Sequence, residues 1–167
     1  MFLAISGGES SFMVWELIRQ ALDFCVGKNP HLKDRESVVN LLLEEDSWVH
    51  STFRYAISKG ICAFLGMHHQ ELEEVYLTGS TVEDTAGFTS DIDLIIKAEN
   101  NEALTDTLRR LDNDIMIYYR SLLQQHVKKM HQILSPEFIY EKETLERIKG
   151  QIFHPPLLIW HRGFSCD

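Results

Sequence analysis

The chain has 167 residues, of which 44% are apolar and 25% charged, and this suits one soluble domain with a real core. A net charge of -9 argues against a nucleic-acid scaffold, whose footprint is a basic face. No apolar run approaches membrane-spanning length, and Cys25, Cys62 and Cys166 show no metal-like spacing.

The odd cysteine count suits a reducing compartment. Met1 to Ile5 lacks a charged leader and stops at Ser6-Gly7-Gly8, so it is a poor signal peptide. The expectation is a cytoplasmic protein of one domain, residues 1–167. Residues 1–70 form a helical N-terminal section, and residues 71–167 form a sheet-containing core with C-terminal helices.

Residues 10–26 read as a helix. Ser10 or Ser11 can cap it and Gly27 can stop it. Val14, Leu17, Ile18, Ala21, Leu22 and Cys25 follow helical spacing. Cys25 and Cys62 look like core fillers. Lys28 to His31 is a turn. Asp34 caps a second helix bearing Val38, Val39, Leu41, Leu42 and Leu43. Asp46 or Ser47 opens a third, from Trp48 to about Met67. Gly60 and Gly66 within it weaken the helix or permit close packing.

Val75 to Leu77 is a short apolar run that ends in Thr78-Gly79-Ser80. It reads as a buried strand entering a tight turn. Gly79 lets the backbone come close to a ligand. Ser80 offers a hydroxyl beside the free N–H groups of whatever helix follows. Thr81 to Phe88 reads as a short helix or turn broken by Gly87. Asp91 to Lys97 is a second strand, dense in Ile and Leu. Side chains in a strand alternate, so Asp91 and Asp93 share one face while Ile92, Leu94 and Ile96 share the other. Two adjacent carboxylates each favour protonation unless a cation holds them. Oxygen ligands of this kind suit Mg²⁺, which keeps waters and bridges to phosphates.

Residues 102–111 form a helix capped by Asn100 or Asn101, and Asp112-Asn113 makes a turn. Residues 114–119 read as a third strand and residues 121–134 as a further helix. Ser135-Pro136-Glu137 reads as a helix start with Pro at its first position, leading into a helix over 137–149 ended by Gly150. Pro155-Pro156 precedes a short apolar strand, Leu157 to Trp160, which suits a sheet edge. Residues 161–167 are a tail. These strands cluster centrally between amphipathic helices, which predicts an α+β domain. Arg120 and His126 match a loose ribonuclease spacing of the HEPN type, which chance alone supplies in a chain with eight His.

Gly79-Ser80, ten intervening residues and Asp91-Ile92-Asp93 resemble the signature of the polymerase-β-type nucleotidyltransferase superfamily, at the spacing of its minimal members. The resemblance covers roughly residues 72–120. It implies a small mixed sheet of residues 75–79, 91–97 and 114–119 packed on helices. It implies Gly79 and Ser80 at the phosphates, and Asp91 and Asp93 as catalytic metal ligands. A third carboxylate from the neighbouring strand completes the family's site, and Asp114 is the candidate. The metal implied is Mg²⁺ or Mn²⁺, and the substrate a nucleoside triphosphate. The acceptor is a protein or a small molecule, with nucleic acid disfavoured by the acidic balance. Many relatives carry a basic residue soon after Gly-Ser, where this chain has Glu83-Asp84. The alternative function is a catalytically inactive nucleotide- or partner-binding module, such as a toxin–antitoxin component.

Overall fold

The computed structural model describes residues 7–139 and 155–163. Three helices come first: α1 (Gly7–Lys28), α2 (Arg35–Leu43) and α3 (Ser47–His68). Their starts follow the expected capping chemistry. The Asp34 carboxylate accepts from the Ser37 N–H at 2.8 Å, and the Asp46 carboxylate accepts from the Val49 N–H at 2.8 Å. The α1 stripe from Val14 to Cys25 is buried as its spacing predicts. Gly60 and Gly66 are close-approach positions. A Cβ on Gly60 would run into Leu17 of α1, and one on Gly66 would run into the Trp160 ring. Cys25 and Cys62 are fully buried fillers, and burial pushes both thiols up to about 12.

The sheet has strand order β3-β2-β1-β4. Its strands are β1 (Leu72–Thr78), β2 (Ile92–Ala98), β3 (Leu134–Ile139) and β4 (Leu157–His161). β1 runs antiparallel to β2 and to β4, while β2 and β3 are parallel. One face carries Leu72, Val75, Leu77, Ile92, Leu94 and Ile96, all buried in the main core with the helices. Each such side chain contributes roughly 1.5–3 kcal/mol by leaving water. The other face carries Asp93 and a small separate cluster of Tyr76, Ile95 and Ile139. The α+β architecture is as expected, with β4 at the sheet edge after Pro155-Pro156.

Four expectations in the second half are corrected. Residues 114–119 are not a strand. They lie inside α4 (Glu102–Leu123), so Asp114 is a helical residue. The helical stripe Leu104, Leu108, Leu111, Ile115, Met116, Tyr119, Leu123 runs through Asp112-Asn113 without a break. That long stripe overrides the local β preference of Ile115 to Tyr119. Asp112 makes no turn. Its carboxylate accepts from the Ile133 and Leu134 N–H groups, each at 2.8 Å, and so tethers the start of β3.

The helix expected over 121–134 ends at Leu123, followed by a 3-10 turn over Gln124–Val127. Ser135-Pro136-Glu137 does not start a helix but lies within β3. Pro136 is tolerated there because β3 lies at the edge of the sheet among the described residues. The rest of the expected helix over 137–149, together with Gly150, lies outside the described residues, as do Cys166 and the end of the tail. Among the described residues, no helix is long and apolar enough to cross a membrane.

Candidate functional site

β1 ends at Thr78, which stands opposite Asp93 on β2. The next residue, Gly79, has φ +72°, a left-handed conformation that glycine adopts without steric cost. It also leaves no room for a side chain, because a Cβ there would strike the Asp93 carboxylate. The Gly-Ser turn and the second carboxylate are therefore in direct apposition. The helix expected after Ser80 is only a 3-10 turn, Gly79–Thr81. The Gly79 carbonyl accepts from the Val82 and Glu83 N–H groups at 3.0 and 3.2 Å.

Asp93 is half-buried on the sheet face away from the main core, and Asp91 immediately precedes β2. Burial raises the Asp93 carboxyl above its ordinary value, and the nearby Asp91 charge raises it further. No lysine or arginine forms an ion pair with either carboxylate among the described residues. A divalent cation would relieve both the desolvation and the repulsion, so the pair fits a hard metal ion that keeps several waters.

Asp114 does not sit on the strand beside β2. In the β2–β3 register, Ser135 stands opposite Asp93 and Glu137 stands opposite Ile95. Among the described residues, no three of His, Cys, Asp and Glu gather as metal ligands. Glu137 is the carboxylate that the neighbouring strand offers on the Asp93 face. Pro136 conceals it in the sequence, because Ser135-Pro136-Glu137 reads equally well as a helix start.

A buried arginine fixes the loop that delivers Asp91. Arg54 of α3 is 0% exposed. Its guanidinium donates to the carbonyls of Gly87 at 2.7 Å and Ser90 at 3.1 Å, and to the Tyr119 hydroxyl. It also donates to His50 Nδ1 at 2.8 Å, and His50 Nε2 meets the Leu42 carbonyl at 2.8 Å. His50 is thus neutral, with its proton on Nε2. Burial, followed by the Arg54 charge, pushes its pKa down to about 4. A depressed histidine stabilises the fold fully above 6.5, and that contribution is lost as pH falls from 6.5 towards about 4. Desolvation also works against the Arg54 charge, and the Asp91 carboxylate is among the groups that support it.

The loop is held from other sides too. The Ser51 hydroxyl accepts from the Ala86 N–H at 3.1 Å. The Phe88 ring stacks on His126 at 4.3 Å and meets His50 edge-on at 5.4 Å. The sequence held one signal for this hub: His50 and Arg54, four apart, lie on the apolar side of α3 with Phe53, Ile57 and Ile61. Arg120 and His126 have structural roles here. Arg120 donates to the Met130 carbonyl at 2.7 Å, and His126 supports Phe88.

The family model for the nucleotidyltransferase domain matches residues 59–154, more than half of the chain. Among solved structures, a "putative nucleotidyltransferase" from Sulfolobus solfataricus is similar at 18% identity. That alignment covers 74% of this chain and 96% of the other, with a TM-score of 0.42. No curated protein matches the chain.

Proposed function

This chain belongs to the nucleotidyltransferase domain family, and from that premise we propose that it moves a nucleoside monophosphate from a nucleoside triphosphate to an acceptor hydroxyl. The acceptor belongs to a protein or a small molecule. Its oxygen attacks the α-phosphorus, the bond from that phosphorus to the β-phosphate oxygen breaks, and pyrophosphate leaves. The acceptor's proton passes to solvent.

The observation that carries this reading is the apposition of Gly79 with the half-buried Asp93 carboxylate, two residues from Asp91 on one strand face. Asp91 and Asp93 would hold the divalent cation, Mg²⁺ or Mn²⁺, and Glu137 is the carboxylate that β3 carries on the same face. The cation, when bound, neutralises triphosphate charge and stabilises the attacking and leaving oxygens. Gly79 and Ser80 receive the phosphates at the half-buried turn between β1 and the loop. Arg54 positions Asp91 through the Gly87–Ser90 carbonyls without touching substrate. Transfer of this type rests on positioning and charge stabilisation more than on covalent participation, so a small site suffices.

A second reading has one observation in its favour. The position opposite Asp93 on β3 is Ser135, not a carboxylate. On that reading the domain binds a nucleotide or a partner, as in a toxin–antitoxin component, and catalyses nothing.

The binding step common to both readings is tested by thermal unfolding. A ligand that selects the folded state stabilises it by about 2.7 kcal/mol at a hundredfold excess over Kd. Mg²⁺ with a nucleoside triphosphate should raise Tm by several degrees, whereas neither alone should match it. An identical rise in the Asp91→Asn/Asp93→Asn double variant would remove the carboxylates from the site. No rise with any common nucleoside triphosphate would contradict nucleotide binding altogether.

A further inference from the structure

A cavity of about 330 Å³ opens on the helical side of the Gly79–Thr81 turn. That is the scale of small-molecule sites, which run from about 300 to 1,000 Å³. Leu77 lines it from the core face of β1, whereas Asp93 lies on the opposite sheet face. The cavity is thus a different place from the carboxylate site, and what it binds does not depend on transfer chemistry.

Its walls favour a ring. Phe24 from the last turns of α1, with Trp48 and Tyr55 from α3, line it. Trp48 and Leu157 remain 36% and 44% exposed there, although residues of this size gain by leaving water. Aromatic walls of this kind suit a flat aromatic partner.

The charged lining is sparse and of both signs. Lys28 and Asp84 line the cavity, and neither forms an ion pair among the described residues. Lys28 Nζ lies 5.3 Å from the Phe24 ring centre. Asp84 is held at φ +57°, a left-handed conformation that Asp adopts more readily than most side chains. An anion would meet Asp84 and a cation would meet Lys28. A ligand carrying both charges satisfies both. Thr81, in the same wall, is 5% exposed and its hydroxyl has no hydrogen-bond partner. Such orphaned groups are rare in native interiors and call for a reason.

We propose that this cavity binds a small zwitterion built on an aromatic ring, of the aromatic amino-acid type. The ring lies among Phe24, Trp48 and Tyr55, the carboxylate faces Lys28 and the ammonium faces Asp84. The acidic residue at position 84, out of place beside a triphosphate, has a use on this side of the turn.

The test is a charge series on one ring: indole-3-propionate, tryptamine and L-tryptophan. Each is titrated into the full chain and followed by ligand-observed NMR. L-Tryptophan should bind at least about threefold more tightly than either singly charged analogue, which is the scale of one partly exposed ion pair. Lys28→Gln should weaken L-tryptophan and narrow its gap to tryptamine. Asp84→Asn should narrow the gap to indole-3-propionate instead. Both substitutions are at surface positions, and circular dichroism confirms that each variant is folded. The proposal is overturned if no member of the series binds. It is equally overturned if a singly charged analogue binds as well as L-tryptophan, or if L-tryptophan binding survives both substitutions unchanged. None of these outcomes bears on the carboxylate site, whose test is the Mg²⁺-dependent rise in Tm.

Discussion

Asp93→Asn will abolish nucleotidyl transfer while the metal-free fold remains as stable as the native protein or becomes more so. The two effects have one origin. Burial and the neighbouring Asp91 raise the Asp93 carboxyl, so its ionised form works against the fold. For an acid raised in the folded state the sign is fixed: the native state holds its proton longer than the unfolded chain does. Stability therefore falls as pH rises from the ordinary carboxylate value of 3.8 through the raised one, and the penalty persists at neutral pH. Solvent screening moderates it, because Asp93 is only half-buried. Asparagine keeps the shape beside Gly79 and removes the charge that a cation needs. Urea unfolding in chelator from acid to neutral pH should show the variant losing less stability than the native protein. A structural carboxylate behaves oppositely, since loss of its partner typically costs about 1 kcal/mol. Transfer at the native rate, or a large loss of metal-free stability, would end the assignment of Asp93.

Arg54→Met should have the largest effect on stability of any single change considered. The substitution removes a buried cation but strands the groups built around it. The carbonyls of Gly87 and Ser90, the Tyr119 hydroxyl and His50 Nδ1 all lose a donor. Each buried acceptor left without a donor costs about 1–3 kcal/mol, so together they amount to a large fraction of a domain's stability. The damage should be local first. Amide exchange at residues 86–91 should rise before exchange in β1 does, and Mg²⁺-dependent nucleotide binding should weaken with it. Tyr119→Phe is the milder control. It removes one Arg54 partner and the Tyr119 bond to the Phe88 carbonyl, while the Arg54 bonds to the Gly87 and Ser90 carbonyls remain. If Arg54→Met unfolds the chain, the control still separates loop ordering from global stability. Unchanged exchange over 86–91 in both variants would show that Arg54 does not hold the loop.

Much of the site was legible because its signals are local. The Gly79-Ser80 turn, the spacing to Asp91 and the two-residue period of β2 need only neighbouring residues to be read. The Asp34 cap was legible for the same reason, whereas Asp46 was one of two candidates with Ser47, and the partners that make Gly60 and Gly66 close-packing positions, Leu17 and Trp160, are distant in the chain. The third strand was not, because its identity is settled by competition over a long stretch. Ile115 to Tyr119 looks like a strand in isolation, yet it completes a helical stripe that starts at Leu104. Once α4 claims those residues, the next apolar segment, Leu134 to Ile139, pairs with β2. Pro136 hid it, since a proline reads equally as a first helical residue or as an edge-strand residue. For Arg54 only its place on the apolar side of α3 was local. Its partners are loop carbonyls more than thirty residues away, and no spacing rule reaches them.

The most direct test of the account is label transfer from nucleoside triphosphates marked at the α-phosphate. The chain is incubated with Mg²⁺ and a lysate of the source organism, beside the Asp91→Asn/Asp93→Asn variant. The account predicts that α-label appears on an acceptor with the native chain, that γ-label does not, and that the variant transfers neither. Transfer of γ-label, or equal α-labelling by the variant, would contradict it.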